Sequence, residues 1–111
     1  MSFEPRDYLL HILTETVFIL DRSEGLSREE FLEDETLQRA FVRSLEVIGE
    51  AVKKLPVEFR ASETRIEWRR VAGMRDRLIH DYFGVDYEIV WDVIRKQLPE
   101  LRRVVEEHIG S

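Results

Sequence analysis

The chain contains no cysteine, which excludes disulfides and thiolate metal sites and fits a reducing compartment, so a cytoplasmic location is expected. No apolar run approaches the roughly 18 residues of a membrane span, and no membrane partner is expected. The N-terminus lacks the basic-then-apolar pattern of a secretory signal. There are only three prolines and five glycines in 111 residues, and no alternating apolar–polar runs, so little argues for strands. What remains is rich in Glu, Arg and Leu. With 43% hydrophobic residues the chain can build one core but is too short for two, and a single domain over residues 1–111 is expected.

A net charge of −6 argues at first against a nucleic-acid partner, but the charge is unevenly distributed. From Arg60 to Arg77 six arginines face only Glu63, Glu67 and Asp76, while Glu24 to Glu35 holds six acids against Arg28 alone. A local excess of +3 in the first stretch, on a chain that carries −9 elsewhere, can attract a phosphate backbone. The other reading of the same charges is a solvated helix face.

Apolar spacing predicts helices through most of the chain. Tyr8, Leu9, Ile12, Leu13, Thr16, Val17 and Leu20 form one stripe over residues 5–23, with Pro5 in the first turn. Gly25 ends it. Ser27 and Glu30 make a capping-box pattern for a short helix over 27–33, with Leu26 and Phe31 as its hydrophobic staple. Asp34 caps a helix to about Lys54, in which Gly49 suggests close packing or ligand approach. Glu46 and Glu50 lie one turn apart there, and pairing with Arg43 and Lys53 is preferred to metal binding. Pro56 opens a connection over 56–63. Thr64 and Glu67 then predict a helix carrying Trp68 through Ile79 and ending at Gly84. Asp86 caps the last helix, which Pro99 should kink or interrupt. The expected fold is all-α, a bundle of four main helices plus one short helix.

The chemistry concentrates in V-A-G-M-R-D-R-L-I-H-D-Y-F-G-V-D-Y, residues 71–87. If helical through Ile79, this stretch puts Asp76 and His80 on one face, with Arg75 within reach of the imidazole. Arginine binds phosphoryl oxygens as a fork, and imidazole moves protons near neutral pH. The spacing alone discriminates nothing, because Arg6 precedes His11, and Arg103 precedes His108, by the same five positions. A salt-bridged helix face, with Asp76 paired to Arg75 or Arg77 and His80 at the helix end, is the competing explanation. Tyr82 and the F-G-V-D after it set the central copy apart.

With those features the segment resembles the Arg-x4-His-x-Tyr signature of the HepT-like toxins, a branch of the HEPN superfamily of small helical proteins. R-D-Y-L-L-H-I-L, G-L-S-R-E-E-F-L-E-D, R-S-L-E-V-I-G-E-A, I-E-W-R-R-V-A-G-M-R-D and V-W-D-V-I-R-K-Q-L-P-E-L are similar to the same family, in the same order, over most of the chain. The resemblance implies a HEPN-like fold and a metal-independent endoribonuclease toxin, acting at a composite site across a homodimer. It implies Arg75 and His80 as catalytic residues. Asp76 would orient one of them, although many members of the family have asparagine at that position. Tyr82 is implied as the acceptor of AMP groups added by a nucleotidyltransferase antitoxin, a regulatory role. No cofactor and no metal are expected. The alternative is a non-catalytic nucleotide- or protein-binding helical module, and a scaffold that has lost its ribonuclease activity would carry the same motif.

Overall fold

The computed structural model describes residues 4–80 and 84–110, with Ile79 and His80 in backbone alone. Within them the chain forms eight α-helices and one two-residue antiparallel pairing, an all-α architecture. Helix α1, Pro5–Ser23, begins with Glu4 N–H donating to the Asp7 carboxylate at 2.8 Å. It buries Leu9, Ile12, Thr16 and Ile19, so the apolar stripe turns slightly past the expected Leu20. Gly25, at φ 77°, supplies the left-handed turn that ends the helix.

Ser27 caps α2, Arg28–Glu33, with the expected reciprocal bonds. Its Oγ accepts from Glu30 N at 3.0 Å, and Glu30 Oε1 accepts from Ser27 N at 2.9 Å. Phe31 then enters the core, stacked between Phe41 at 5.6 Å and Trp91 at 5.4 Å between centroids. Such offset aromatic pairs add about 0.5–1.5 kcal/mol beyond burial.

Asp34 caps α3, Glu35–Lys54, by accepting from Leu37 N at 3.0 Å. This helix is the centre of the bundle, packed against α1 and α2 and against the later helices Trp68–Ala72, Met74–Leu78 and Tyr87–Lys96. A Cβ on Gly49 would lie 3.2 Å from the Val71 carbonyl oxygen, so close backbone packing explains the glycine. Pro56 ends α3 as expected. The stretch after it is α4, Val57–Ser62, rather than an irregular connection, because Pro56 sits at the cap position where its missing N–H costs nothing.

The long helix expected from Thr64 to Gly84 is replaced by two short ones, α5, Trp68–Ala72, and α6, Met74–Leu78. Glu63, not Thr64, organises the entry. Its carboxylate accepts from Arg65 N, and its carbonyl accepts from Trp68 Nε1 at 2.9 Å. Gly73 breaks the middle, consistent with its low helix propensity. At the far end β1, Ile79–His80, pairs antiparallel with β2, Gly84–Val85, and Asp86 N donates to Leu78 O at 2.8 Å. Gly84, at φ 76°, permits that reversal. The helical relation expected between Asp76 and His80 is therefore not formed.

Asp86 caps α7, Tyr87–Lys96, accepting from Glu88 N and Ile89 N. Pro99 interrupts the stripe as expected: α8, Leu98–Gly110, starts anew with the proline in its first turn. Helix α8 returns along α1, where Arg6 Nη1 donates to Ile109 O at 2.8 Å. No helix among the described residues is long and apolar enough to cross a membrane.

Candidate functional site

Met74 and Leu78, one turn apart and both almost fully buried, anchor α6 to the core. That anchoring leaves Arg75 and Asp76 on the outside. The Arg75 side chain is 63% exposed, and its Nε lies 3.7 Å from Glu46 Oε2 on α3. Glu46 itself is only 29% exposed, so the carboxylate is set into the helix surface and the guanidinium reaches out from it. Neither pairing proposed for a merely salt-bridged α6 is formed: Asp76 bridges neither Arg75 nor Arg77 among the described residues.

The backbone of His80 follows directly in β1, paired with Gly84, and its side chain lies outside the described residues. Tyr82 also lies outside them. Arg75 and Asp76 thus lie within α6, with Arg75 against Glu46, and the His80 backbone lies beyond its last residue.

The other two arginine–histidine spacings have different fates. Arg6 is bonded to the Ile109 carbonyl, and Arg103 pairs with Glu100 within α8. His11 is exposed at a groove between α1 and α3. His108 Nε2 sits 2.8 Å from Glu63 Oε1 and meets the Phe59 ring edge-on at 4.8 Å. Glu63 is the centre of that cluster, also bonded by Arg65 Nε and Nη2 at 3.0 and 2.8 Å. The Arg65 guanidinium, then His108, hold the Glu63 carboxyl down to about 2, and Glu63 with Glu107 raises the arginine. The cluster fastens the entry of α5 to the end of α8, a structural role that distance in sequence concealed.

Glu46 is the site residue that sequence reasoning assigned elsewhere. Glu50 does pair with Lys53, at 3.2 Å, but Glu46 turns to Arg75. Nothing local marks that choice, since α3 and α6 meet only in the folded chain. Among the described residues, no group of three or more His, Asp or Glu side chains is disposed to hold a metal ion.

On the opposite side of α6 a groove of about 550 Å³ runs against α7, lined by Arg70, Arg77, Ile89, Asp92, Lys96 and Gln97. Arg70, Lys96 and Gln97 also line a neighbouring pocket of about 260 Å³. The cations of the Arg60–Arg77 stretch are therefore distributed over α4, the turn before α5, α5 and α6 rather than gathered on one face.

A family model described as Ribonuclease HepT-like matches residues 12–108. A protein of Caldanaerobacter subterraneus subsp. tengcongensis named "Putative RNase TTE0752" is 56% identical over 103 residues, which span 93% of this chain and 92% of the relative. One from Thermococcus cleftensis, named "Probable ribonuclease HepT", is 39% identical over 107 residues, 96% of this chain and 97% of that one. No solved structure matches. A family match over most of the chain, with relatives similar across nearly their whole length, shows that the chain belongs to the HepT-like ribonuclease family.

Proposed function

We propose that this protein is an endoribonuclease, the toxin of a toxin–antitoxin pair, working without a metal at a composite site across a homodimer. The observation that carries the reading is Arg75, five residues before His80, presented to solvent from α6 and paired with Glu46, in a member of a ribonuclease family.

The chemistry asks little more of the protein. His80 takes the proton of a ribose 2′-hydroxyl, whose oxygen forms a bond to the adjacent phosphorus. Arg75 stabilises the added negative charge on the crowded phosphate through charge-assisted hydrogen bonds. The bond from phosphorus to the 5′-oxygen breaks, and that oxygen receives a proton. One imidazole serves poorly as base and acid at once, so the His80 of a second copy completes the pair across a two-fold interface. Asp76 orients Arg75 or His80. The products are a 2′,3′-cyclic phosphate and a free 5′-hydroxyl.

Silencing falls to a nucleotidyltransferase-fold antitoxin that transfers AMP to Tyr82. The added phosphate repels RNA and competes for Arg75.

The test is RNA cleavage by wild type and His80→Ala with a chelator present and contaminating nuclease excluded. Cleavage by the wild type alone, ending in a cyclic phosphate, is expected. Equal cleavage by both proteins overturns the role of His80. Binding without cleavage by an unmodified, folded wild type would favour a non-catalytic binding module.

A further inference from the structure

We infer that the groove between α6 and α7 is a second RNA contact, a seat for backbone phosphates of the strand beyond the scissile bond. The inference rests on the ribonuclease reading and extends its substrate path. It starts from the two arginines of α6. Arg75 and Arg77 are two residues apart, about 200° round a helix, so one cannot share the other's face. Arg75 meets Glu46 on α3, while Arg77 lines the groove against Ile89 and Asp92 of α7. A strand lying across α6 therefore has a cation on each side.

Charge inside the groove supports a polyanion. Of the groove's own lining, Arg70, Arg77 and Lys96 face Asp92, and with Glu67 beside Arg70 a local +1 remains on a protein whose net charge is −6. Two of the three cations have partners that compete weakly. Lys96 is 3.4 Å from Asp92 and Arg70 is 3.2 Å from Glu67, both pairs exposed on their own helices. Arg77 differs, because its Nη1 is buried and has no acceptor among the described residues. A buried charged donor favours an acceptor that brings its own negative charge. Ile89 and Val93 give the groove an apolar floor, so cations rim a surface that need not hold tightly bound water. The contact should hold phosphates regardless of sequence.

Binding of an uncleavable 2′-O-methyl single-stranded RNA, measured by fluorescence anisotropy across a salt series, tests this. The Arg77→Gln/Lys96→Gln double variant should bind about ten-fold more weakly at moderate salt. Its slope of log affinity against log salt should be shallower by about 1.4, from ~0.7 per phosphate contact for single strands. Asp92→Asn should bind more tightly, a gain that misfolding cannot mimic. Arg39→Gln, which removes an exposed charge at the start of α3, should change neither quantity. Unchanged affinity and slope in the double variant overturn the inference. So does a double variant that keeps RNA but loses self-association in sedimentation, which would give the groove to a second copy of the chain. Wild-type cleavage of a dinucleotide, too short to span α6, is scored separately. Its failure would count against the ribonuclease reading rather than against the groove.

Discussion

Glu46 and Arg75, far apart in the chain, meet at 3.7 Å across the contact between α3 and α6, the carboxylate more sheltered than the guanidinium it holds. An exposed pair of this kind contributes only about 0.2–1 kcal/mol to stability. In the proposed reaction its value would lie in orientation. With Nε facing the carboxylate at 3.7 Å, beyond hydrogen-bond distance, the guanidinium has both Nη groups to offer to a phosphate.

Glu46→Gln should therefore leave the melting temperature nearly unchanged while lowering RNA cleavage about ten-fold, the rate equivalent of ~1.4 kcal/mol in the barrier. The loss should fall on kcat more than on KM, and Glu46→Asp should restore part of it. Unaltered kcat in a folded Glu46→Gln variant would sink the orienting role.

Gly49→Ala tests the packing beneath the site. A methyl group gains about 1 kcal/mol in helix propensity. The new Cβ, however, would stand 3.2 Å from Val71 O and 3.4 Å from Ala72 O, backbone atoms that cannot rotate away. Overpacking against rigid neighbours costs typically 1–3 kcal/mol, so a net loss of about 1 kcal/mol is expected in urea denaturation. A stabilised variant would mean that α3 and α5 separate easily.

Glu63 gives a pH dependence with a definite sign. Its folded pKa, held at about 2 mainly by Arg65 and then His108, lies below the ordinary 4.5. The stabilisation is therefore complete above about pH 4.5 and is lost as pH falls toward 2. Since Arg65 is 45% exposed, solvent screening discounts it to on the order of 1 kcal/mol. The wild type should lose that much more stability than Glu63→Gln over this acid window. Parallel acid titrations of the two proteins would contradict the assignment.

Tyr82→Phe should abolish AMP addition by the nucleotidyltransferase, read by intact mass after co-expression. Retained modification would place the acceptor elsewhere, with Tyr87 the next phenol in the chain.

The local rules that act through neighbouring residues were legible in the sequence. Ser27, Asp34 and Asp86 cap the helices they were expected to cap, because a side chain needs only two or three residues to reach its donors. Pro56 and Pro99 mark real breaks for the same reason. Thr64 failed because Glu63, drawn by Arg65 and by His108 from the other end of the chain, wins the turn. The α6 helix stops short because its last residue is claimed by Asp86 N, a contact that helix periodicity does not encode. Arg75 stood out only through Tyr82 and the F-G-V-D that follow His80, its spacing being shared by Arg6 and Arg103, whereas Glu46 was hidden because its partner arrives from a different helix.

The pairing of β1 with β2 ties the register of Ile79 and His80 to that of Gly84 and Val85. Successive residues in such a ladder face opposite ways, so a register slip by one turns every side chain in it over. A single insertion or deletion between His80 and Gly84 that shifts this register would end the Ile79–Val85 partnership. A one-residue insertion there should cost cleavage even where every motif residue is retained, which a length-variant series would reveal.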